Sequence, residues 1–424
     1  MSRSAVSMSV TRAGSLLPSS TSQNLPRMYC RTNPYVLTSA DARRLPPRLC
    51  REVSSMPELG HIPTDAAAIT RDLIERLIGT LNPGVGVRDL RIRRVWQWGE
   101  GDAVSTSGRV DLELTYDEAG AGLPRQVVLK LARPDLPAYP LYRNEVQAYS
   151  RLRPWRLVRT PQCLGAWFDA ATGSFGLALE DLTARGARFP SVASSPSFTS
   201  LEDAIGQLAG FHACHWGARA DWSAPELTWA QTHVAGELHD LFSHPDLVPA
   251  MIADEVAGNL HKRELVQSVD ETVESFYDKV QLVQRHQSQL QQTLVHGDCH
   301  VGNTFVLPDD SMGFVDWQLS VRGHYMHDLS YLIVTGLDVA QRRTHERRLV
   351  ELHLRLLRGH GVEDLPTPAE AFEEYRRAQA WNTYIGWLTC PVANYGWEIN
   401  VGNHIRLLTA YRDLDSGRAI EAIR

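Results

Sequence analysis

The stretch "LVHGDCHVGNTF", residues 294–305, gathers two histidines, an aspartate, a cysteine and an asparagine in one short segment. A metal-binding cluster, a catalytic loop and a polar turn without chemistry are the three interpretations open at this point. The next residues, "TFVLPDDSMGFVDW" (304–317), predict a hairpin with "PDDS" as its turn and a second strand that ends on Asp316. Because a hairpin brings its two ends together, Asp298, Asn303 and Asp316 are expected to converge.

The spacing within this segment favours a catalytic loop. Asp298 and Asn303 stand five positions apart, which is also the step from Asp to Asn in the protein-kinase loop H-R-D-x-x-x-x-N. Phosphoryl transfer needs a carboxylate to orient the attacking hydroxyl, and carboxylate and amide oxygens to hold Mg²⁺ against the phosphates. A metal cluster of His296, Cys299 and His300 has suitable ligand types, but no complementary pair lies at zinc-finger spacing. Cys299 is instead expected to pack inward.

"HGDCHVGN" followed by "VDW" resembles the signature of the aminoglycoside phosphotransferase, choline kinase and ecdysteroid kinase-like group, small-molecule kinases with a protein-kinase-like fold. The resemblance implies that Asp298 is the catalytic base and that Asn303 and Asp316 are Mg²⁺ ligands. It also implies that His296 braces the loop and that His300 is a loop or phosphate-side contact.

Two further segments resemble this group, and the resemblance covers roughly residues 60–390. "HDLSYLI" (327–333) resembles the element in which an aspartate, here Asp328, begins a helix and ties back to the catalytic loop. "IGQLAGFHACHWG" (205–217) resembles the ecdysteroid kinase-like pattern L-A-x-x-H-A-x-x-W. Its His212 is either a core histidine, which helical spacing favours, or a ligand.

A nucleotide site is predicted from one lysine and one glutamate. "VVLKLA" (127–132) places Lys130 in an apolar strand, where an ammonium is costly unless it is paired. Glu145 follows fifteen positions later in the predicted helix "YRNEVQAYSRL" (142–152). The two match the Lys–Glu pair with which kinases hold ATP phosphates. The alternative is a snorkelling lysine and a surface glutamate.

The remaining nucleotide contacts rest on weaker signals. "LALEDLT" (177–183) resembles the hinge of the group, where the backbone near Glu180 and Leu182 would bind adenine. "GEGDAVSTSG" (99–108) is a candidate loop over the phosphates, although it does not match G-x-G-x-x-G strictly. The absence of G-x-x-x-x-G-K-[ST] argues against a P-loop NTPase.

The order of predicted elements indicates an α+β, two-lobed, protein-kinase-like fold. A helix is predicted over "TDAAAITRDLIERLIGTL" (64–81) with Thr64 or Asp65 as its N-cap, and the chain is mostly helical from Ser200. The predicted lobes are a β-rich, nucleotide-binding N-lobe (56–182) and a mainly helical C-lobe with the catalytic loop and acceptor site (183–424). The sequence predicts five strands in the N-lobe, over 90–98, 109–116, 125–132, 163–169 and 175–181.

The first 55 residues are rich in Arg, Ser, Thr and Pro, lack periodicity and are predicted to be disordered. They are either a transit peptide or precede a true start at Met56, which the abrupt onset of patterned sequence favours. Eight arginines against Asp41 and Glu52 give this leader a charge of +6, which leaves −12 for the body and argues against nucleic-acid binding. No apolar run reaches 18 residues, and the six cysteines form no CxxC pair, so we expect no membrane segment and a cytoplasmic, reducing location.

The acceptor is the least determined part. "WNTYIGWLTCPVANYGWEIN" (381–400) contains Trp381, Tyr384, Trp387, Tyr395 and Trp397, which could clasp an apolar or quaternary ammonium substrate. Positions 381, 384, 385 and 388 also form a helical core stripe, which is the favoured interpretation. The last helices lack a dense acidic cluster, which argues against an aminoglycoside and favours a hydroxylated apolar or alicyclic acceptor.

The predicted function is an ATP- and Mg²⁺-dependent kinase for a small-molecule hydroxyl. A non-catalytic pseudokinase is the alternative, and the intact Lys130, Asp298, Asn303 and Asp316 argue against it. The absence of HRD, DFG and APE motifs argues against a protein kinase. The identity of the acceptor, the oligomeric state and the choice between ATP and GTP stay open.

Overall fold

The computed structural model describes residues 59–96, 106–133, 138–152, 158–389 and 392–424, without the side chains of 389 and 392–395. The predicted leader, most of the candidate phosphate loop and the Tyr395 side chain lie outside the described residues.

The first helix begins later than predicted. Asp65 caps only a short 3₁₀ turn, Ala66–Ala68, and Ile69 after it is extended. Helix α1, Arg71–Gly79, has Thr70 as its N-cap, and the Thr70 hydroxyl accepts the Leu73 N–H at 3.3 Å. A hydroxyl that satisfies a free N–H of the first turn fixes the start of a helix at that position. The predicted caps Thr64 and Asp65 were therefore wrong for this helix.

The five predicted strands are confirmed and form one antiparallel sheet in the order β1-β2-β3-β5-β4. Their bounds are β1 Val87–Trp96, β2 Gly108–Tyr116, β3 Gln126–Leu131, β4 Cys163–Asp169 and β5 Ser174–Glu180. Along β3, Val127, Leu129 and Leu131 point into an apolar cluster shared with α1. Side chains alternate along a strand, so Lys130 lies on the opposite face. Helix α2, Tyr139–Arg151, packs on β4 and β5.

The rest of the chain is mainly helical, as predicted, and the α+β class is confirmed. Its helices are α3 Phe198–Cys214, α4 Glu237–Ser243, α5 Val248–Gly258, α6 Leu260–Gln267, α7 Val273–Ser288, α8 Met326–Gly336, α9 Val339–Gly359, α10 Pro368–Thr389, α11 Val392–Asp413 and α12 Ser416–Glu421. None of the helices in the described part is long and apolar enough to cross a membrane. Trp381, Tyr384 and Trp387 are buried in the core, whereas Trp397 is exposed.

Two small antiparallel ribbons interrupt the helices between α7 and α8. Strand β6, Thr293–Val295, pairs with β9, Val321–Gly323, and β7, Thr304–Val306, pairs with β8, Met312–Phe314. The β7–β8 pair confirms the predicted hairpin, but its second strand stops at Phe314 rather than at Asp316. Asp316 adopts the left-handed conformation (φ 65°, ψ 67°), which ends regular pairing.

Candidate active site

Lys130, Glu145 and Asp316 meet at one point between the sheet and the hairpin. Lys130 Nζ donates to both carboxylate oxygens of Glu145 at 2.7 Å and to Asp316 Oδ1 at 3.3 Å. The Glu145 side chain is 1% exposed, whereas that of Asp316 is 24% exposed. The alternative of a snorkelling lysine with a surface glutamate is therefore wrong.

The electrostatics of this triad favour a charged lysine. Burial lowers the pKa of the Lys130 ammonium, but Asp316 and Glu145 outweigh burial and hold that pKa above its usual value. Burial raises the pKa of the Glu145 carboxyl to about 7, against the opposing effect of Lys130. Of the two carboxylates, Asp316 is the one that keeps access to solvent, so it is the one that can exchange hydrogen-bond partners.

Asp298 and Asn303 are also in contact. Asn303 Nδ2 donates to the Asp298 carboxylate at 2.9 Å and to the Asp298 carbonyl at 3.0 Å. The Val315 N–H donates to the Asn303 carbonyl at 2.9 Å, which ties the loop to the residue before Asp316. Burial is the main reason that the pKa of Asp298 lies above its usual value of 3.8. The predicted convergence of Asp298, Asn303 and Asp316 is thus found in the structure.

His296 and Asp328 hold the catalytic loop from behind. His296 Nε2 lies 2.9 Å from the Val315 carbonyl. Asp328, in the first turn of α8, accepts the backbone N–H groups of His296 and Gly297 at 2.7 and 2.9 Å. His212 Nε2 lies 3.1 Å from the same carboxylate. Asp328 therefore ties back to the loop as predicted, and His212 is a buried core residue that contacts it.

The other two side chains of the loop do not form a metal cluster. Cys299 is fully buried, as predicted. His300 caps the 3₁₀ turn Val301–Asn303, where its Nδ1 accepts the Gly302 N–H at 3.0 Å. No group of three or more His, Cys, Asp and Glu side chains within the described ranges could hold a metal ion. The cluster of His296, Cys299 and His300 is therefore not a metal site.

The predicted hinge leads from the sheet to the hairpin. Glu180 ends β5, and Leu182 begins the 3₁₀ turn Leu182–Arg185. The side chain of Leu182 packs on Phe305 and Leu307 of the hairpin. The N–H groups of Glu180 and of the next residue donate to backbone carbonyls. The Leu182 N–H donates to no described residue.

A pair of polar contacts that sequence reasoning missed connects α2 to the turn after Asp316. Asn144 Nδ2 donates to the carbonyls of Gln318 and Ser320 at 2.9 and 2.8 Å. The Thr106 hydroxyl, at the start of β2, donates to Gln318 Oε1 at 2.7 Å. The neighbour of Asn144 is Glu145, so the only signal in the sequence was its place beside a candidate site residue.

A second missed group lies on the Lys130 face of the sheet. Arg109 stands directly opposite Lys130 in the β2–β3 ladder and shares its face. The guanidinium carbons of Arg94 and Arg109 lie over the Trp96 ring, at 3.4 and 4.5 Å from its centroid. Trp96 Nε1 donates to Asp111 at 2.7 Å. No sequence motif joins these residues, because they come from two different strands.

Several solved structures resemble this chain. They include choline kinase from Cryptosporidium parvum (10% identity, 83% of this chain, 97% of that chain, TM-score 0.48). A second is a choline/ethanolamine kinase family protein from Mesorhizobium loti (18% identity, 74% of this chain, 89% of that chain, TM-score 0.38). A third is aminoglycoside phosphotransferase APH(3'')-Id from Streptomyces rimosus (17% identity, 68% of this chain, 91% of that chain, TM-score 0.40). No curated protein sequence gives a significant match.

The model of the phosphotransferase enzyme family, APH, matches residues 114–372. That match covers more than half of the chain and spans β3, α2, the catalytic loop and the hairpin. The antiparallel sheet followed by helices agrees with the α+β order that the sequence predicted. The chain belongs to the phosphotransferase enzyme family.

Proposed function

We propose that the chain is an ATP- and Mg²⁺-dependent kinase that phosphorylates a hydroxyl of a small molecule. The observation that carries this proposal is the 3.3 Å contact between Lys130 and Asp316 across 186 positions of sequence. Phosphoryl transfer needs a cation for the phosphates beside a carboxylate for the metal ion, and this contact provides both.

The oxygen donors near Lys130 suit Mg²⁺. Asp316 supplies a partly exposed carboxylate, and Asn303 supplies an amide oxygen, because its amide nitrogen is already used by Asp298. In nucleotide sites Mg²⁺ is held by one or two protein oxygens together with phosphates and waters, so two ligands suffice. ATP, when bound, would supply the phosphoryl group, and Mg²⁺ would neutralise part of the charge on its phosphates.

The remaining roles follow from the contacts of each side chain. Asp298 is the proposed catalytic base, and its raised pKa brings the carboxylate closer to the range in which it accepts a proton well. Lys130 is proposed to bind phosphate oxygens while Glu145 orients it. The Leu182 N–H, which donates to no described residue, is proposed to bind adenine together with the backbone near Glu180.

The proposal is tested at Asp316. Asp316→Asn keeps a residue that tolerates the left-handed backbone but removes the negative charge, so ATP binding should need at least tenfold more Mg²⁺. Titration of Mg²⁺ against ATP binding measures this change. Asp310→Asn is the matched control, because Asp310 is also left-handed (φ 62°) but lies exposed in the hairpin turn.

Turnover separates the proposal from the pseudokinase alternative. ATP consumption is measured with a panel of alcohols, sugars, sterols and amines. Mg·ATP binding without consumption by any acceptor would favour the pseudokinase. An Asp316→Asn protein with the Mg²⁺ dependence of the parent would show that Asp316 is not a metal ligand.

A further inference from the structure

A small cavity borders the catalytic loop on the side of the helices. Its volume is about 30 Å³, and Gly297 and Leu319 form part of its wall. Gly297 directly precedes Asp298, and Leu319 lies three positions after Asp316. The cavity therefore lies against the residue that directly precedes the proposed base.

The wall of this cavity is poor in charged groups. None of its lining residues is Lys, Arg, Asp or Glu, and its surface is mainly apolar, with Leu238, Phe242 and Trp381 among its members. Burial lowers the pKa of His233, another lining residue, well below its usual value, so that ring is neutral. An ammonium group would enter without a counter-charge, which is costly in a buried site.

Two nearly buried polar atoms of the lining residues have no hydrogen-bond partner among the residues that the structure describes. They are Gln284 Oε1, an acceptor, and Trp381 Nε1, a donor. Both side chains are about nineteen-twentieths buried, with relative exposures of 6%. A hydroxyl group can donate to the first and accept from the second, and a cavity of this size has room for such a group.

Trp381 is also linked to the catalytic loop. Its ring lies 5.0 Å from that of His327, and His327 Nε2 lies 2.9 Å from the Gly297 carbonyl. A group that binds against Trp381 therefore contacts a side chain that packs on His327, which in turn contacts the backbone of Gly297.

We infer that this cavity is an acceptor subsite for an uncharged, mainly apolar alcohol that carries a second hydroxyl, with Gln284 and Trp381 as its specificity-determining residues. The inference rests on the proposed kinase function and narrows its substrate class. The second hydroxyl would enter the cavity while the first lies at Asp298. Polycationic and quaternary ammonium acceptors are disfavoured by the same wall.

Three ring compounds of one shape test the inference: trans-1,4-cyclohexanediol, 4-methylcyclohexanol and trans-4-aminocyclohexanol, which is cationic at neutral pH. Initial rates at saturating Mg·ATP give kcat/KM for each, and ligand-observed NMR gives binding without nucleotide. The diol is expected to be best, and the ammonium compound at least tenfold poorer. A preference for the ammonium compound, or no binding of any of the three, would overturn the inference.

Gln284→Leu tests the acceptor atom itself. Its Oε1 has no partner to lose, so the variant should fold as well as the parent. The advantage of the diol should fall by about three- to tenfold, the range expected for one hydrogen bond, with KM for ATP unchanged. Gln281→Leu is the matched control, one turn earlier on α7 and outside the cavity lining. Equal effects of the two variants would contradict the inference.

The outcomes also separate the subsite from the kinase proposal. If the protein neither binds nor consumes ATP, the proposed function fails, while diol binding that Gln284→Leu weakens still supports the subsite. If ATP is consumed but the diol and the ammonium compound are equivalent, the kinase proposal stands and the subsite fails.

Discussion

The partners of His296 determine its tautomer. A carbonyl only accepts, so the contact of Nε2 with Val315 requires a proton on Nε2. Nδ1 then accepts the Asp298 N–H at 3.3 Å. Burial lowers the pKa of His296, which agrees with a neutral ring. A second proton on the ring, at Nδ1, would remove the acceptor for the Asp298 N–H. The hydrogen bond that holds the backbone of the proposed base is therefore expected to be strongest at neutral or higher pH.

Replacement of one carboxylate oxygen tests the role of Asp298. Asp298→Asn keeps an acceptor for the Asn303 amide but cannot take a proton, so kcat should fall by about 10²–10⁴-fold. ATP affinity should stay within about threefold of the parent, since hydrogen-bond changes of under a kcal/mol correspond to factors of that size. Steady-state kinetics and nucleotide titration measure both quantities.

Asp309→Asn serves as the control for this change, because Asp309 is exposed in the turn of the β7–β8 hairpin that follows the catalytic loop. A variant at position 298 that keeps more than a tenth of the parent rate would show that Asp298 is not the base.

At the scale of elements, the start of α8 anchors the catalytic loop. Asp328 is fully buried, and burial alone would raise its pKa. Its contacts with His212 and nearby histidines outweigh burial and lower that pKa to about 2. His212 belongs to α3, and its Nδ1 lies 3.1 Å from His353 on α9. Three helices are thus joined through one carboxylate to the backbone of residues 296 and 297.

We expect Asp328→Asn to weaken both stability and turnover. The amide offers one oxygen where two backbone N–H groups are accepted now, and a buried N–H without a partner costs about 1–3 kcal/mol. Urea unfolding should show this loss, and kcat should fall more than KM for ATP rises, because the loop rather than the nucleotide site is disturbed.

A second aspartate at a helix start is the matched control. Asp338 caps α9 through its contact with the Gln341 N–H and is exposed. Asn is as good a cap as Asp, so Asp338→Asn should change neither the free energy of unfolding nor kcat appreciably. Similar losses in the two variants would point to a general helix-capping effect rather than to loop anchoring.

The elements differ in how far sequence determined them. The strands with Lys130 and the hairpin were predictable because alternation and turn residues are local signals. The start of α1 was not, since Thr64, Asp65 and Thr70 are all competent caps and only packing on the sheet selects the last. Asn144 was missed because its acceptors are carbonyls 174 and 176 positions away.

At the scale of the whole molecule, buried histidines make stability depend on pH. Burial is the first cause of the lowered pKa of His215, His233, His296, His324, His327, His353 and His404. For His215 and His324 the lowered pKa is about 4, against 6.5 in the unfolded chain. Below pH 6.5 the unfolded state therefore binds more protons than the folded state, and acid favours unfolding.

The free energy of unfolding should fall as the pH drops from about 6.5 towards 4. Each such histidine contributes up to roughly 1.4 kcal/mol per pH unit within this window. Glu145, with its pKa raised to about 7, acts in the opposite direction between about 4.5 and 7, and Asp298, whose pKa is also raised, acts in the same sense as Glu145. These are two groups against seven histidines. Urea unfolding at pH 7.5, 6.0 and 5.0 measures the trend, and a flat or rising free energy over this range would contradict it.

The site as a whole was predicted better than its surroundings. The sequence analysis selected Lys130, Glu145, Asp298, Asn303 and Asp316 because their residue types and spacings resemble a known signature. The structure places these side chains near one another, and their roles stay predictions. The cavity beside Gly297 had no such signal, because its wall collects residues from five separate segments of the chain. The Trp96 group was missed for the same reason, since its members meet only across strands.

The hydrogen bonds from Asn144 to the carbonyls of Gln318 and Ser320 bear on regulation. Many kinases are switched off when the helix with the glutamate swings away from the lysine. Here that swing would break both Asn144 bonds and the buried Lys130–Glu145 pair at the same time. Displacement of α2 is therefore expected to disturb the Lys130–Glu145 pair and the turn after Asp316 together rather than one at a time.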